Sequence, residues 1–264
     1  MVKPYLALLG GHVRSLTSYR ASFVMELLSN LGGTVLDVLA VLVLFRVTRT
    51  VGGFELPAAL LMVALSSAAF STADLVVGNI DRIKTYVRAG TLDAVLVRPL
   101  SAFAQLVLMD LPLRKALRVG LAYAVLTVAV RLADIDWTPA RVALLLIAPL
   151  CGAVFFAAIF VVSASLAFWW VESGEVGNAF TYGGRDFTAY PVSVYSGWFR
   201  ALFAYGLGFG FVAYHPALFL LGRVDPLGLP AWSGWLSPLV ALVAAAAAAV
   251  VWRIGIRHYR STGS

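Results

Sequence analysis

Charge is what this 264-residue chain has least of: 12% of its residues are Asp, Glu, Lys or Arg, against 61% hydrophobic ones. Soluble domains carry about 25% charged residues. With a mean hydropathy of +0.89, a water-exposed fold is excluded. Cysteine is nearly absent too. Cys151 alone cannot form an intrachain disulfide, and inside an apolar run it reads as packing in a membrane interior. His12, His215 and His258 are scattered, so no histidine pair stands at metal-ligand spacing. The chain also lacks a G-x-x-x-x-G-K-[ST] phosphate loop, H-E-x-x-H and G-x-S-x-G, and so has no parts of its own to hydrolyse ATP or peptides. Residues 206–210, GLGFG, follow no strand and lack the third spaced glycine of a dinucleotide loop; they read as close helix packing. The N-terminal stretch is broken by Lys3, Gly10, Gly11, His12 and Arg14. It lacks the continuous apolar core and cleavage site of a signal peptide and is expected to be retained.

What is present is a series of apolar runs. A helix needs about 20 predominantly apolar residues to cross a hydrocarbon core of about 30 Å. Residues 23–45, 56–77, 117–133, 142–171, 198–221 and 236–254 meet or approach that length. His215 and Pro216 interrupt the fifth run, so an alternative ends it near Ala213 and makes 216–235 a re-entrant or surface hairpin. Either parse predicts an all-α membrane protein with six transmembrane helices, one domain over residues 1–264.

The net charge of +7 does not point to nucleic acid, because the cations lie in the gaps between apolar runs, where the positive-inside rule expects them. Placing both termini in the cytosol puts most of the 20 Lys and Arg on that side, with Arg46 and Arg49 the main exceptions. Residues 1–18 mix Tyr5, Leu6, Leu8, Leu9, Val13 and Leu16 with Lys3, His12 and Arg14, which suits an amphipathic helix lying in the inner interface. The excess of Arg over Lys and the wealth of Ala, Val, Leu and Gly fit a bacterial protein, hence the bacterial cytoplasmic (inner) membrane.

Ionisable residues inside a span cost about 2.5–3.5 kcal/mol on insertion scales, so each needs a partner or a wet cavity. Glu26, Asn30, Gly33 and Asp37 fall at i, i+4, i+7 and i+11 along one helical stripe, and Ser67, Ser71, Asp74 and Gly78 repeat the spacing. Lipid satisfies neither stripe. Both therefore face a translocation path or a partner subunit, or else join helices without touching a substrate. Residues 172–190, with Glu172, Glu175, Arg185 and Asp186, read as a polar cytoplasmic connection between the fourth and fifth spans.

Residues 81–101 form a basic island carrying Arg82, Lys84, Arg88 and Arg98, with Gly90 and Pro99 as helix punctuation. Such a short helix between spans suits docking to a soluble cytoplasmic partner, with Leu92 and Leu96, four residues apart, on one face. Two stretches carry a resemblance: AGTLDAVLVRPLS, residues 89–101, and YPVSVYSGWFRALFAYGLGFGFVAYHPALFLLGR, residues 190–223. The chain resembles, over essentially its whole length, the permease subunits of type-2 ABC exporters, in the branch of bacterial antibiotic and multidrug export systems. Tyr190, Pro191, Tyr214, Pro216, Ala217, Leu221, Gly222 and Arg223 match the second pattern. In the first, Ala89 stands where many relatives have an acid before Gly-Thr-Leu.

The resemblance implies an N-terminal amphipathic elbow helix and re-entrant structure near the outer ends of spans 5 and 6. It also implies a cytoplasmic coupling helix between spans 2 and 3, built on Arg88, Gly90, Thr91, Leu92, Asp93, Leu96, Arg98 and Pro99. The implied partners are a dimer of ABC ATPase subunits, which would hold ATP and Mg, a second permease, identical or a sister chain, and the lipid bilayer. No cofactor is expected in this chain. An alternative is a secondary transporter driven by an ion gradient, with Asp37 and Asp74 carrying protons. An intramembrane enzyme would need convergent carboxylates or a nucleophile and base, which Asp110, Asp134 and Asp136 do not supply.

Overall fold

The computed structural model describes residues 20–108, 115–170 and 173–259. The expected elbow at residues 1–18, and with it Asp110 and Glu172, lies outside the described residues. The first helices are α1 (Arg20–Val47) and α2 (Leu56–Val77), followed by a 3-10 turn at Gly78–Arg82. The short α3 (Ile83–Arg88), α4 (Leu92–Leu96) and α5 (Ala102–Leu108) follow, then α6 (Ala116–Leu132) and α7 (Pro139–Ser165). Next come α8 (Gly174–Ala189), α9 (Gly197–Arg200) with a π-helical continuation to Gly206, and α10 (Tyr214–Leu221). The last is α11 (Ser237–His258).

Local chemistry fixes the starts of the long helices. Proline stands in the first turn of α2, α7 and α11, where its missing N–H costs no bond. Thr138 caps α7 by accepting a bond from the Arg141 N–H at 3.3 Å. Among the described residues, three stretches are long and apolar enough to cross a membrane, Leu56–Arg88, Pro139–Phe168 and Ala231–His258, or four if a bent pair around Gly206–Phe209 counts as one span.

The core sits where α2 and α7 cross, around Leu61, Leu65, Phe70, Phe156 and Phe160, all fully buried. Gly152 permits the close approach: a Cβ there would stand 2.7 Å from the Ala69 methyl and 3.1 Å from Val212. Helix α11 packs on the far side of α7 and is otherwise largely uncovered, with Leu239, Leu242, Val243, Val250 and Ile254 exposed.

Two sequence expectations are corrected. Residues 174–189 are not a connection outside the bundle: α8 lies along α2 and α7 in antiparallel sense to α2. Gly174 abuts Lys84, Tyr182 packs on Phe70, Thr188 bonds Ser66, and Ser193 beyond it donates to the Gly52 carbonyl at 2.7 Å. At about 24 Å, α8 runs most of the length of α2, which at 22 residues measures about 33 Å. Conversely, residues 198–221 do not run from one end of the bundle to the other. The segment starts beside Gly52, bends by 59° around Gly208, and returns to the same end, where Arg223 lies over Phe54 and Gly222 abuts Arg141. Gly208, at φ +88°, supplies a left-handed turn that other residues rarely adopt.

Candidate functional site

The short helices after α2 form a compact ledge. Ile83, Val87, Leu92 and Val95 are buried under it, so its apolar stripe holds it to the core of the bundle. Gln105 on α5, 1% exposed, donates from Nε2 to the Val95 and Leu100 carbonyls, each at 3.1 Å, and so ties α4 to α5. Gly90, at φ +65°, turns the chain between α3 and α4. At the end of α11, Tyr259 lies near Asp93; burial raises its phenol above the ordinary value, and the Asp93 carboxylate adds to the rise.

The opposite side of the ledge is exposed: Arg88, Ala89, Thr91, Ala94, Arg98 and Pro99, with Leu96 at 38% and Val97 at 86% exposure. This corrects the expected docking pair. Leu92 is inside and Leu96 outside, because the stripe facing the core is Leu92 with Val95, spaced i and i+3, and Leu96 falls at its edge. Asp93 and Gly90 are half-buried between the two sides.

A second set of polar groups lies within the bundle. A cavity of about 320 Å³ is lined by Ala40 and Val41 of α1, Ser67 of α2, and Arg185, Asp186 and Tyr190 at the end of α8. A small neighbouring cavity touches Ser67, Ser71, Arg118 and Arg185. The Arg118 and Arg185 guanidinium groups each stand 5.7 Å from the Phe70 ring centroid, a distance at which the ring face attracts a cation. Ser67 and Ser71 thus reach the same space.

Asp74 does not. It is 2% exposed and binds Lys115 Nζ of the chain before α6 at 2.6 Å, with Arg118 Nη1 at 3.6 Å. A carboxylate buried against two cations joins α2 to α6 rather than facing a path. Gly78 makes room for it: a Cβ there would collide with the Asp74 carboxylate and stand 3.1 Å from Lys115 Nζ. Glu26, Asn30 and Asp37 fall within α1, and their side chains lie outside the described part of the structure.

The bent segment closes one end of the bundle. Tyr214 Oη donates to Asp225 Oδ1 at 2.8 Å, and Asp225, 4% exposed, also accepts from the Leu227 and Leu229 N–H groups at 3.0 and 3.3 Å. His215 Nδ1 is 3.1 Å from Ser233 Oγ, and Ser237 Oγ donates to the Phe211 carbonyl at 2.7 Å. These bonds stitch α10 to the turn leading into α11 and replace the water that an end lacking regular helix needs.

Against this geometry, residues 31–263 match the family model described as ABC-2 family transporter protein. The chain belongs to the ABC-2 transporter family. No curated protein and no solved structure matches it. As an ABC-2 transporter it is the membrane component of an ABC system, and its apolar helices make it an integral membrane protein.

Several side chains of this ABC-2 permease escaped the sequence reading. Ser66, beside the Ser67 that was singled out, is fully buried and shares a hydrogen bond of 2.5 Å with Thr188. Phe70 anchors the two arginines and packs on Phe156, Phe160 and Tyr182. No periodicity marks these, since each is one apolar or small residue among many. Lys115 carried a signal: an isolated carboxylate in a span demands a cation, and Lys115 with Arg118 opens the next span.

Proposed function

We propose that this chain is a single permease domain of an ATP-driven exporter with six spans: α1, α2, α6, α7, α8 and α11. In this reading the fifth span is the polar helix α8, and α9 with α10 is a re-entrant cap at the outer end. Both termini and the ledge at residues 83–99 lie in the cytosol, consistent with the cations Arg82, Lys84, Arg88, Arg98, Arg253 and Arg257 gathered there. The assignment is to the cytoplasmic membrane of a bacterium and to antibiotic or multidrug export.

The observation that carries the coupling role is the two-sided ledge. Its buried side is fastened to α2 and α5, and its other side offers Val97 and Leu96 flanked by Arg88 and Arg98. An apolar centre with a basic rim suits docking to a soluble subunit. A dimer of ABC ATPases would occupy it and hold ATP and Mg. Movement of that dimer would pull on α2 through the rigidly packed Ile83 and Val87, and on α11 through the contact of Tyr259 with Asp93.

Cargo would pass between this permease and a second one, identical or a sister chain, along the polar face of Ser67, Ser71, Arg185 and Asp186, with Glu26, Asn30 and Asp37 of α1 as further lining candidates. The test is co-expression with an ABC ATPase followed by reconstitution. ATP hydrolysis that depends on this chain, together with ATP-dependent movement of a fluorescent amphiphile out of the ledge-side compartment, is expected. Movement that needs a proton gradient and ignores ATP would replace this reading with an ion-coupled carrier.

A further inference from the structure

The alanine run at residues 244–249 gives α11 only methyl groups where it passes Ala157 and Ala158 of α7. Short side chains on both helices cannot fill the space towards α5 and the end of α2. A cavity of about 590 Å³ results, with Val77, Phe103, Val161, Ala248 and Trp252 among its walls. That is within the range of about 300–1,000 Å³ typical of small-molecule sites. Trp252 is held as a rigid wall by Phe103 and Phe168, each with its ring centroid 5.4 Å away.

Ser101 and Arg253 are the polar residues in its lining. Arg253 is exposed and pairs with no carboxylate among the described residues. Arg257 follows one turn later on the same stripe as Ala245, Ala249 and Arg253. A helix C-terminus favours cations, which accounts for some positive charge at this end, but not for a guanidinium at the mouth of an apolar hollow. The face of α11 beside it is uncovered and apolar.

We propose that this cavity holds an acyl chain of an anionic phospholipid, its headgroup on Arg253 and Arg257. Naming its leaflet as the cytoplasmic one rests on the orientation proposed above; the binding itself does not. The acyl chain fills a hollow whose walls, Ser101 and Arg253 apart, are apolar and hold water poorly. The headgroup meets two cations at the depth where a polybasic helix end attracts acidic lipid. Since Ser101 and Phe103 belong to the start of α5, directly behind the coupling ledge, the lipid braces the ledge against α11. Transport coupling then depends on the acidic lipid content of the membrane.

The test uses the full chain in nanodiscs, where both leaflets carry the same lipid, so the outcome is independent of orientation. Fluorescence of Trp252, read as the difference between the native chain and Trp252→Phe, is quenched by phosphatidylglycerol or phosphatidylcholine brominated on the acyl chain. Brominated phosphatidylglycerol is expected to bind about fivefold more tightly. Arg253→Gln should narrow that preference and Arg253→Gln with Arg257→Gln should bring the two lipids to parity, and Ala249→Leu, which narrows the hollow from its exposed side, should weaken quenching by both. Equal quenching by the two lipids in the native chain, or quenching unchanged in Ala249→Leu, overturns the proposal. Release of the lipid with each round of ATP hydrolysis by the assembled complex also overturns it, because the lipid would then be cargo. A wrong orientation is detected separately, by cysteine labelling, and leaves these results untouched.

Discussion

Ser66 near the middle of α2 and Thr188 near the end of α8 share a buried hydrogen bond of 2.5 Å, 122 residues apart in sequence. Thr188 also donates to the Arg185 carbonyl of its own helix at 2.9 Å, and Ser66 lies 3.4 Å from the same carbonyl. Three polar groups thus satisfy one another at a point where no water reaches. That knot fixes a polar helix, with Arg185 and Asp186 beside it, against the largely buried α2.

Removing either hydroxyl should therefore weaken the bundle. Ser66→Ala and Thr188→Val are each expected to cost about 1 kcal/mol, since hydrogen bonds between membrane helices average about 0.6 kcal/mol with a maximum near 1.7 kcal/mol. The double variant should be no less stable than the sum minus about one bond, because neither partner is then left unpaired. Thermal unfolding of the purified permease in detergent reads this. Additive losses would mean that the two hydroxyls do not interact.

The Asp74–Lys115 pair leads to a different pattern. Lys115→Met leaves a nearly fully buried carboxylate with Arg118 alone at 3.6 Å, and should cost about 3 kcal/mol. Asp74→Leu combined with Lys115→Met should recover most of that loss. Export per assembled complex is expected to survive in the double variant, because Asp74 touches neither cavity beside Ser67. Loss of export at native stability would return Asp74 to the path.

The contrast between α2 and α8 marks what sequence reading can reach. Helix α2 carries a single charged residue, Asp74, in 22 residues, and its limits, Leu56–Val77, follow from hydropathy and Pro57. Helix α8 carries Glu175, Arg185, Asp186 and four glycines, so its burial rests on partners that only the tertiary structure supplies: Ser66, the Phe70 ring and a close contact of Gly184 with Phe209. The segment at 198–221 misleads in the opposite sense. Its apolar composition reads as a span, yet the left-handed turn at Gly208 and the Tyr214–Asp225 bond return it to its starting end. Of the second stripe, Ser67 and Ser71 line one small cavity, but spacing could not tell that Asp74 had a cation waiting just before α6.

On the ledge, Leu92 and Val97 should separate folding from coupling. Leu92→Asp buries a charge in the core and should sharply reduce the yield of folded permease. Val97→Asp, on a side chain 86% exposed, should leave yield and thermal stability within about 0.5 kcal/mol of native. It should nevertheless lower the ATPase activity that the permease elicits from its partner. A native ATPase rate in Val97→Asp would move the docking contact away from this ledge.

Labelling decides whether residues 197–221 turn back. In a Cys151→Ser background, single cysteines at Ser196 and Val224 flank the segment, and Thr85 marks the ledge. Because Ser193 meets Gly52 and Arg223 meets Phe54, both flanks lie beside the loop joining α1 and α2. An impermeant maleimide applied to intact cells should then modify Ser196→Cys and Val224→Cys alike while sparing Thr85→Cys until the membrane is opened. A segment that crossed the bilayer would instead expose one flank and protect the other. Modification of Thr85→Cys with protection of both flanks would keep the re-entrant fold and invert the protein in the membrane. The two questions, whether the segment turns back and which way the chain faces, are thereby answered by the same three positions.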